Sequence, residues 1–188
     1  QPKPPFTFTL LDSPVINAFA VPGGYVYITR GLMALANDEA ELAGVVAHEI
    51  GHVTARHTAQ RMSHGILASL GAAVLGAVVG QPLVSDAARL AAGAYIQGYS
   101  REQEYEADQL GVRYLTRAGF DPAAMASFLG DMSGEQKLAQ KIAGKEGREP
   151  AASLFSSHPR TADRVAKAAA SARAGAQSSL ARDADIYL

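Results

Sequence analysis

The sequence predicts a mainly helical α+β fold in which a small antiparallel sheet precedes a helix that carries an active site. Three observations predict it. The first thirty residues hold short alternating runs divided by Pro, Gly and Asp-Ser turn signals. From Asp38 onward apolar residues recur at helical spacing. Within that helical part stands His48-Glu49-Ile50-Gly51-His52, whose two histidines, four apart, fall on one helix face one turn apart.

Composition narrows the function classes. The chain has 188 residues, 48% hydrophobic and 19% charged, which suits one globular domain over 1–188. The net charge is −1 and there is no basic block, so nucleic acid is not expected as a partner. With no cysteine, any bound metal must be held by His, Asp or Glu. The first residue is Gln1 rather than Met, which leaves a removed leader open, and no complete transmembrane span is present.

The elements follow in order. Residues 1–5 read as a proline-rich extended arm. Residues 6–11 alternate as a strand, residues 15–20 form a second extended run, and Val21-Pro22-Gly23-Gly24 turns it into a third over 25–29. Such a sheet serves either as a structural flap or as a shelf whose edge pairs with an extended peptide, with Asn17, Ala18 and Phe19 as substrate-binding candidates. A short helix is expected over 32–36. Asp38, with Glu41 three residues later, begins the next helix with a capping-box pattern. Leu42, Val45, Val46, Ile50 and Val53 predict its apolar stripe, and the helix is expected to run to about Met62. From Gly65 to Gly80 the chain is apolar and uncharged, shorter than the roughly 20 residues of a membrane span. It reads as a buried helix or hairpin, a plug over the site, or a membrane-contacting lid.

A long helix is expected from Ser85 to about Gly119, and another from Asp121-Pro122 to about Met132. A short helical piece is expected near 135–142. A last helix begins at Ser157-His158-Pro159, with Arg160 and Arg164 one turn apart, and the tail over 166–188 reads as helical or frayed.

The histidine pair carries the chemistry. At that spacing both rings reach one metal ion at about 2.0–2.1 Å, and Glu49 can act as a general base beside it. This is a zinc-protease signature, and it needs a third ligand. Glu104 and Asp108 lie four apart on one helix face. Taken alone, such a pair is most often a solvated face. Downstream of the histidine helix, Glu104 becomes the expected ligand, with Asp108 orienting a zinc histidine through its free ring N–H. His57 and His64 read as ordinary surface or core histidines. Arg160 and Arg164 read as a helix-face salt bridge or as a support for a carboxylate or a developing oxyanion.

Together, Asn17-Ala18-Phe19-Ala20, Pro22-Gly23-Gly24, the helix from Asp38 to His57, Ser100 to Asp108 and Ser157-His158-Pro159 resemble the gluzincin metallopeptidase family of HtpX, the CAAX prenyl protease and BepA. The chain is most similar to the envelope, BepA-like members, because the long hydrophobic spans of the membrane-embedded ones are missing. The resemblance implies a zincin-like fold with one Zn2+ per chain held by His48, His52 and Glu104. It implies Glu49 as catalytic base, Asp108 behind the ligands, and His158 near the zinc, either blocking its open position or stabilising an oxyanion. It implies a covering segment from Gly65 to Gly80, with membrane contact as one use, and a periplasmic or envelope-associated, possibly lipid-anchored, location. The implied activity is endopeptidase action on protein or peptide substrates, misfolded outer-membrane proteins among them. The alternative is a zinc-stabilised chaperone or adaptor for outer-membrane protein assembly with latent proteolysis.

Overall fold

The computed structural model describes residues 5–79, 98–143, 154, 158 and 162–175. Three strands come first: β1 (Thr7–Leu11), β2 (Ala18–Val21) and β3 (Tyr25–Thr29). Six helices follow among the described residues. They are α1 (Arg30–Leu35), α2 (Glu39–Thr54), α3 (His57–Val79), α4 (Arg101–Ala118), α5 (Ala123–Ala143) and α6 (Ala162–Gly175). The mainly helical α+β class holds, with one difference in the sheet.

The sheet is mixed, not antiparallel. Its order is β1-β3-β2, with β2 antiparallel to β3 and β1 parallel to it. The cause lies in the link between β1 and β2. The Thr29 hydroxyl donates to the Val15 carbonyl (2.6 Å) and accepts from the Asn17 amide (3.0 Å), while the Gly31 amide donates to the Ser13 carbonyl (3.0 Å). These bonds carry the link across the end of β3, so β2 enters on the side opposite β1. Gly23 and Gly24, both at positive φ, then close the β2–β3 hairpin. Among the described residues the outer edge of β2 pairs with no strand.

Helix α2 starts as expected: the Asp38 side chain accepts from the Glu41 amide (2.8 Å). The Glu41 carboxylate reaches past the cap to the Asn37 amide (2.8 Å) and also accepts from the Ser127 hydroxyl of α5, tying the two helices together. The predicted apolar stripe is corrected. Only Val45 of it is buried; Leu42, Val46, Ile50 and Val53 are half-buried. The buried face instead holds small and polar residues, among them Gly44, Ala47, His48, Glu49, Gly51 and His52. Small residues there let neighbouring helices approach closely. Two apolar clusters flank this face. One joins Ala18, Leu32, Val45, Phe128 and Met132; the other joins Ala47, Val112, Leu115, Met125 and Ala168.

Helix boundaries differ at three places. The helix expected to reach Met62 stops at Thr54, because Arg56 takes a left-handed conformation (φ 60°) and α3 sets off anew at His57. A helix start is fixed at Ser100 by a capping box with Gln103, which breaks the single long helix expected over 85–119. The pieces expected before Met132 and over 135–142 form one helix, α5, whose start is held by the Asp121 side chain accepting from the Ala123 amide (2.9 Å). The expectations for residues 1–4, 85–97, Ser157, Pro159, Arg160 and the tail beyond Gly175 lie outside the described residues.

The apolar run after Gly65 lies on α3, and its described side chains are not core. Ile66, Leu67, Leu70 and Val74 are each more than half exposed. No helix among the described residues is long and apolar enough to cross a membrane.

Candidate metal and active site

The site forms where α2 and α4 cross. Gly51 makes the crossing close: a Cβ there would stand 2.9 Å from the Ala107 carbonyl oxygen. That approach sets Glu104 and Asp108 against the two histidines.

His48 Nε2 and His52 Nε2 lie 3.0 Å apart, each 3.5 Å from a Glu104 carboxylate oxygen. His158 completes the group, its Nδ1 2.9 Å from Glu104 Oε1 and 3.2 Å from His48 Nε2. All four residues are buried, and one ligand atom from each lies within 4.8 Å of every other. Two ligands of a tetrahedral zinc at about 2.0–2.1 Å stand about 3.3 Å apart. The observed separations bracket that value, and a nitrogen and oxygen donor set suits a borderline divalent cation. Two carboxylates, Glu49 and Glu104, are fully buried beside the three histidines, with Arg164 Nη1 against Glu104 Oε2 and His158 Nε2 3.4 Å from Glu49 Oε1. Buried carboxylates converging with bare imidazole nitrogens form a donor set that a divalent cation balances, so the residues present fit a metal.

Each histidine of the pair turns its other nitrogen outward. His48 Nδ1 lies 2.9 Å from Asp108 Oδ1. His52 Nδ1 lies 3.0 Å from His57 Nδ1, and His57 Nε2 lies 3.2 Å from Glu106 Oε2. Arg164 of α6 grips the carboxylates from behind. Its Nε and Nη2 donate to the two oxygens of Asp108 (2.8 and 2.7 Å), and its Nη1 lies 2.5 Å from Glu104 Oε2. The open salt-bridge-or-support reading of Arg164 thus resolves to a buried bidentate pair.

The electrostatics follow from burial and these neighbours. Burial raises the Glu49 carboxyl above its ordinary value, against the pull of His158 and His48. Burial pushes His52 down to about 2, despite its hydrogen bond with Glu104. For Glu104, burial would raise the carboxyl, but His158, through its charge and its hydrogen bond, and His52 together hold it well below the usual range. His158 moves the other way: burial opposes its charge, and Glu104 and Glu49 outweigh that and raise it. Its Nε2 lies 3.4 Å from Glu49 Oε1.

The structure thus brings together His48, Glu49, His52, Glu104, Asp108 and His158. Ala18 and Phe19 open β2, which lies beside α2, and Asn17 immediately precedes it; Ala18 is buried. An apolar pocket opens next to Glu49 and His158, walled by Val45, Met125, Phe128, Leu129, Met132 and Leu154. Sequence reasoning missed three neighbours. His57 stands five residues from His52, about 140° around a continuous helix, so spacing argued against contact. Tyr99 stacks on the His52 ring, with centroids 3.8 Å apart, and carried no motif. Arg61, whose guanidinium lies 4.3 Å from the centre of the Tyr99 ring, carried none either.

The sequence profile of peptidase family M48 matches residues 1–172. The chain is 36% identical to a beta-barrel assembly-enhancing protease of Yersinia pestis, over 74% of this chain and 30% of that protein. It is 32% identical to the mitochondrial metalloendopeptidase OMA1 of Arabidopsis thaliana, over 80% of this chain and 28% of that protein. It is 30% identical to the metalloprotease LoiP of Escherichia coli, over 86% of this chain and 60% of that protein. It spans about a third of the length of the beta-barrel assembly-enhancing proteases it matches.

Proposed function

Starting from the fact that the chain belongs to peptidase family M48, we propose that it is a zinc-dependent endopeptidase domain acting in envelope protein quality control. The observation that carries this reading is the buried group of His48, His52, Glu104 and His158, with Glu49 buried beside it. His48, His52 and Glu104 would hold the zinc, which supplies Lewis-acid polarisation of the scissile carbonyl and a more acidic attacking water. Glu49 takes the water proton and later returns it to the leaving amine; its raised pKa suits a group that must both accept and release a proton.

The peptide lies extended beside the outer edge of β2, which pairs with no strand among the described residues, with Ala18 and Phe19 on the strand and Asn17 just before it. Backbone hydrogen bonds there would hold it without regard to sequence. The apolar pocket beside Glu49 receives one hydrophobic side chain. His158 stands among the three ligands, in the space that the attacking water and carbonyl oxygen must use. A resting, latent state with His158 inserted follows, and its withdrawal opens the site.

The test is cleavage of an unfolded protein substrate by wild type and by Glu49→Gln. The variant keeps its fold and its zinc and loses hydrolysis; a rate equal to wild type overturns the mechanism.

Relatives of this chain are named for enhancing beta-barrel assembly, which supports the proposal that its substrates are outer-membrane β-barrel proteins met in the periplasm. An assembly role is a second reading, favoured by the exposed face of α3, where Met62, Ile66, Leu70 and Val74 recur every four residues. Such a stripe suits binding of a non-native client or contact with a membrane surface. Glu49→Gln protein that still suppresses client aggregation would support it; protein that does not would leave proteolysis as the role.

A further inference from the structure

We propose that His57 is a positioning residue for the metal site: it accepts the Nδ1–H of His52, and Glu106 fixes the His57 tautomer that can accept it. The proposal rests on the metal reading above and goes beyond it, because His57 and Glu106 touch neither substrate nor metal.

With a metal bound, the geometry leaves one consistent arrangement of protons. His52 turns Nε2 toward His48 and Glu104, so a metal there is met by the bare Nε2 lone pair. The ring proton must then sit on Nδ1, 3.0 Å from His57 Nδ1. Two ring nitrogens at that distance need one donor and one acceptor. His57 Nδ1 is therefore bare, and its own proton sits on Nε2, 3.2 Å from Glu106 Oε2, a carboxylate oxygen that accepts it. The outward chain is His52, His57, Glu106. It matches on the second ligand what Asp108 does at 2.9 Å on the first.

The backbone is bent to make this contact. On an unbroken helix, residue 57 would point well away from residue 52. The left-handed Arg56, at φ 60°, ends α2 and swings His57 back under His52. Such a conformation costs a non-glycine residue about 1–2 kcal/mol, and residues held this way cluster at functional sites. His57 is buried, and Tyr99 stacks on the face of the His52 ring, its hydroxyl 2.8 Å from Thr58 Oγ1. His52 is thus clamped between a stacked ring and a hydrogen-bond acceptor.

Two measurements test this. Nitrogen-15 spectra of the histidine rings in zinc-loaded wild-type protein report each nitrogen as protonated, bare or metal-bound. The expected pattern is a protonated Nδ1 and metal-bound Nε2 on His52, with a bare Nδ1 and protonated Nε2 on His57. A protonated Nδ1 on His57 overturns the proposal, and this reading needs no variant. The second measurement is zinc release to a chelator. His57→Phe fills the space without an acceptor and should release zinc about 10–100-fold faster. His57→Asn places a carbonyl oxygen where Nδ1 stood and should stay near the wild-type rate. Phe and Asn variants that release zinc alike, fast or slow, overturn the proposal. Wild-type protein that takes up no zinc overturns the metal reading and this one with it, whereas normal uptake with indistinguishable variants overturns this one alone.

Discussion

Gly51 of α2 sits against Ala107 of α4 so closely that a Cβ on it would lie 2.9 Å from the Ala107 carbonyl oxygen and 3.1 Å from its Cα. Both clashing atoms are backbone, so no side-chain rotation relieves them. Gly51→Ala must push the two helices apart, and with them the histidines from Glu104. Overpacking of this kind costs about 1–3 kcal/mol. Thermal melts should show the loss in metal-free protein, and zinc titration should show weaker binding. A variant with unchanged melting temperature and affinity would mean that the crossing tolerates more space than the structure gives it.

Arg164 makes two hydrogen bonds to Asp108 and an ion pair with Glu104, all buried. Arg164→Met removes the cation and leaves both carboxylates facing each other. Breaking a buried pair from one side costs about 3–5 kcal/mol. Chemical denaturation of metal-free protein should show a loss of that order, and saturating zinc should recover part of it through Glu104. A loss below about 1 kcal/mol, the worth of an exposed pair, would place Arg164 at the surface in solution.

Acid sensitivity follows from Asp108. Burial would raise its carboxyl, but the hydrogen bonds from Arg164 and His48 outweigh burial and hold it below the ordinary 3.8. A carboxyl depressed in the folded state contributes stability above its unfolded value, lost as pH falls through the folded one. In metal-free protein the melting temperature should therefore fall as pH drops below about 3.8. Asp108→Asn should be less stable at neutral pH and lose less over that range. An equal slope in both proteins would show that Asp108 titrates normally.

His158 gives a prediction of opposite sign to most active-site changes. Its ring stands among His48, His52 and Glu104. If it blocks the site, His158→Ala raises cleavage of a short peptide severalfold while zinc stays bound. A fall in kcat with unchanged KM would instead make His158 an oxyanion donor.

Local sequence determined the elements that local physics controls. The caps at Asp38 and Asp121 each act within three residues, so the starts of α2 and α5 are read from side-chain chemistry, whereas the equally local capping box at Ser100 is hidden inside the continuous helical pattern expected over 85–119. The spacing of His48 and His52 on one helix face, and of Glu104 and Asp108 on another, follows from helical periodicity alone. Only the tertiary structure decided how these faces meet. The parallel pairing of β1 depends on Thr29 reaching back to residues 15 and 17, a contact between distant parts of the chain. The grip of Arg164 on two carboxylates over fifty residues away likewise has no local signal. His57 marks the boundary between the two kinds of information: one backbone angle at Arg56 reverses what helical spacing implies. Sequence patterns report the preferences of regular structure, and this contact exists because the chain departs from it.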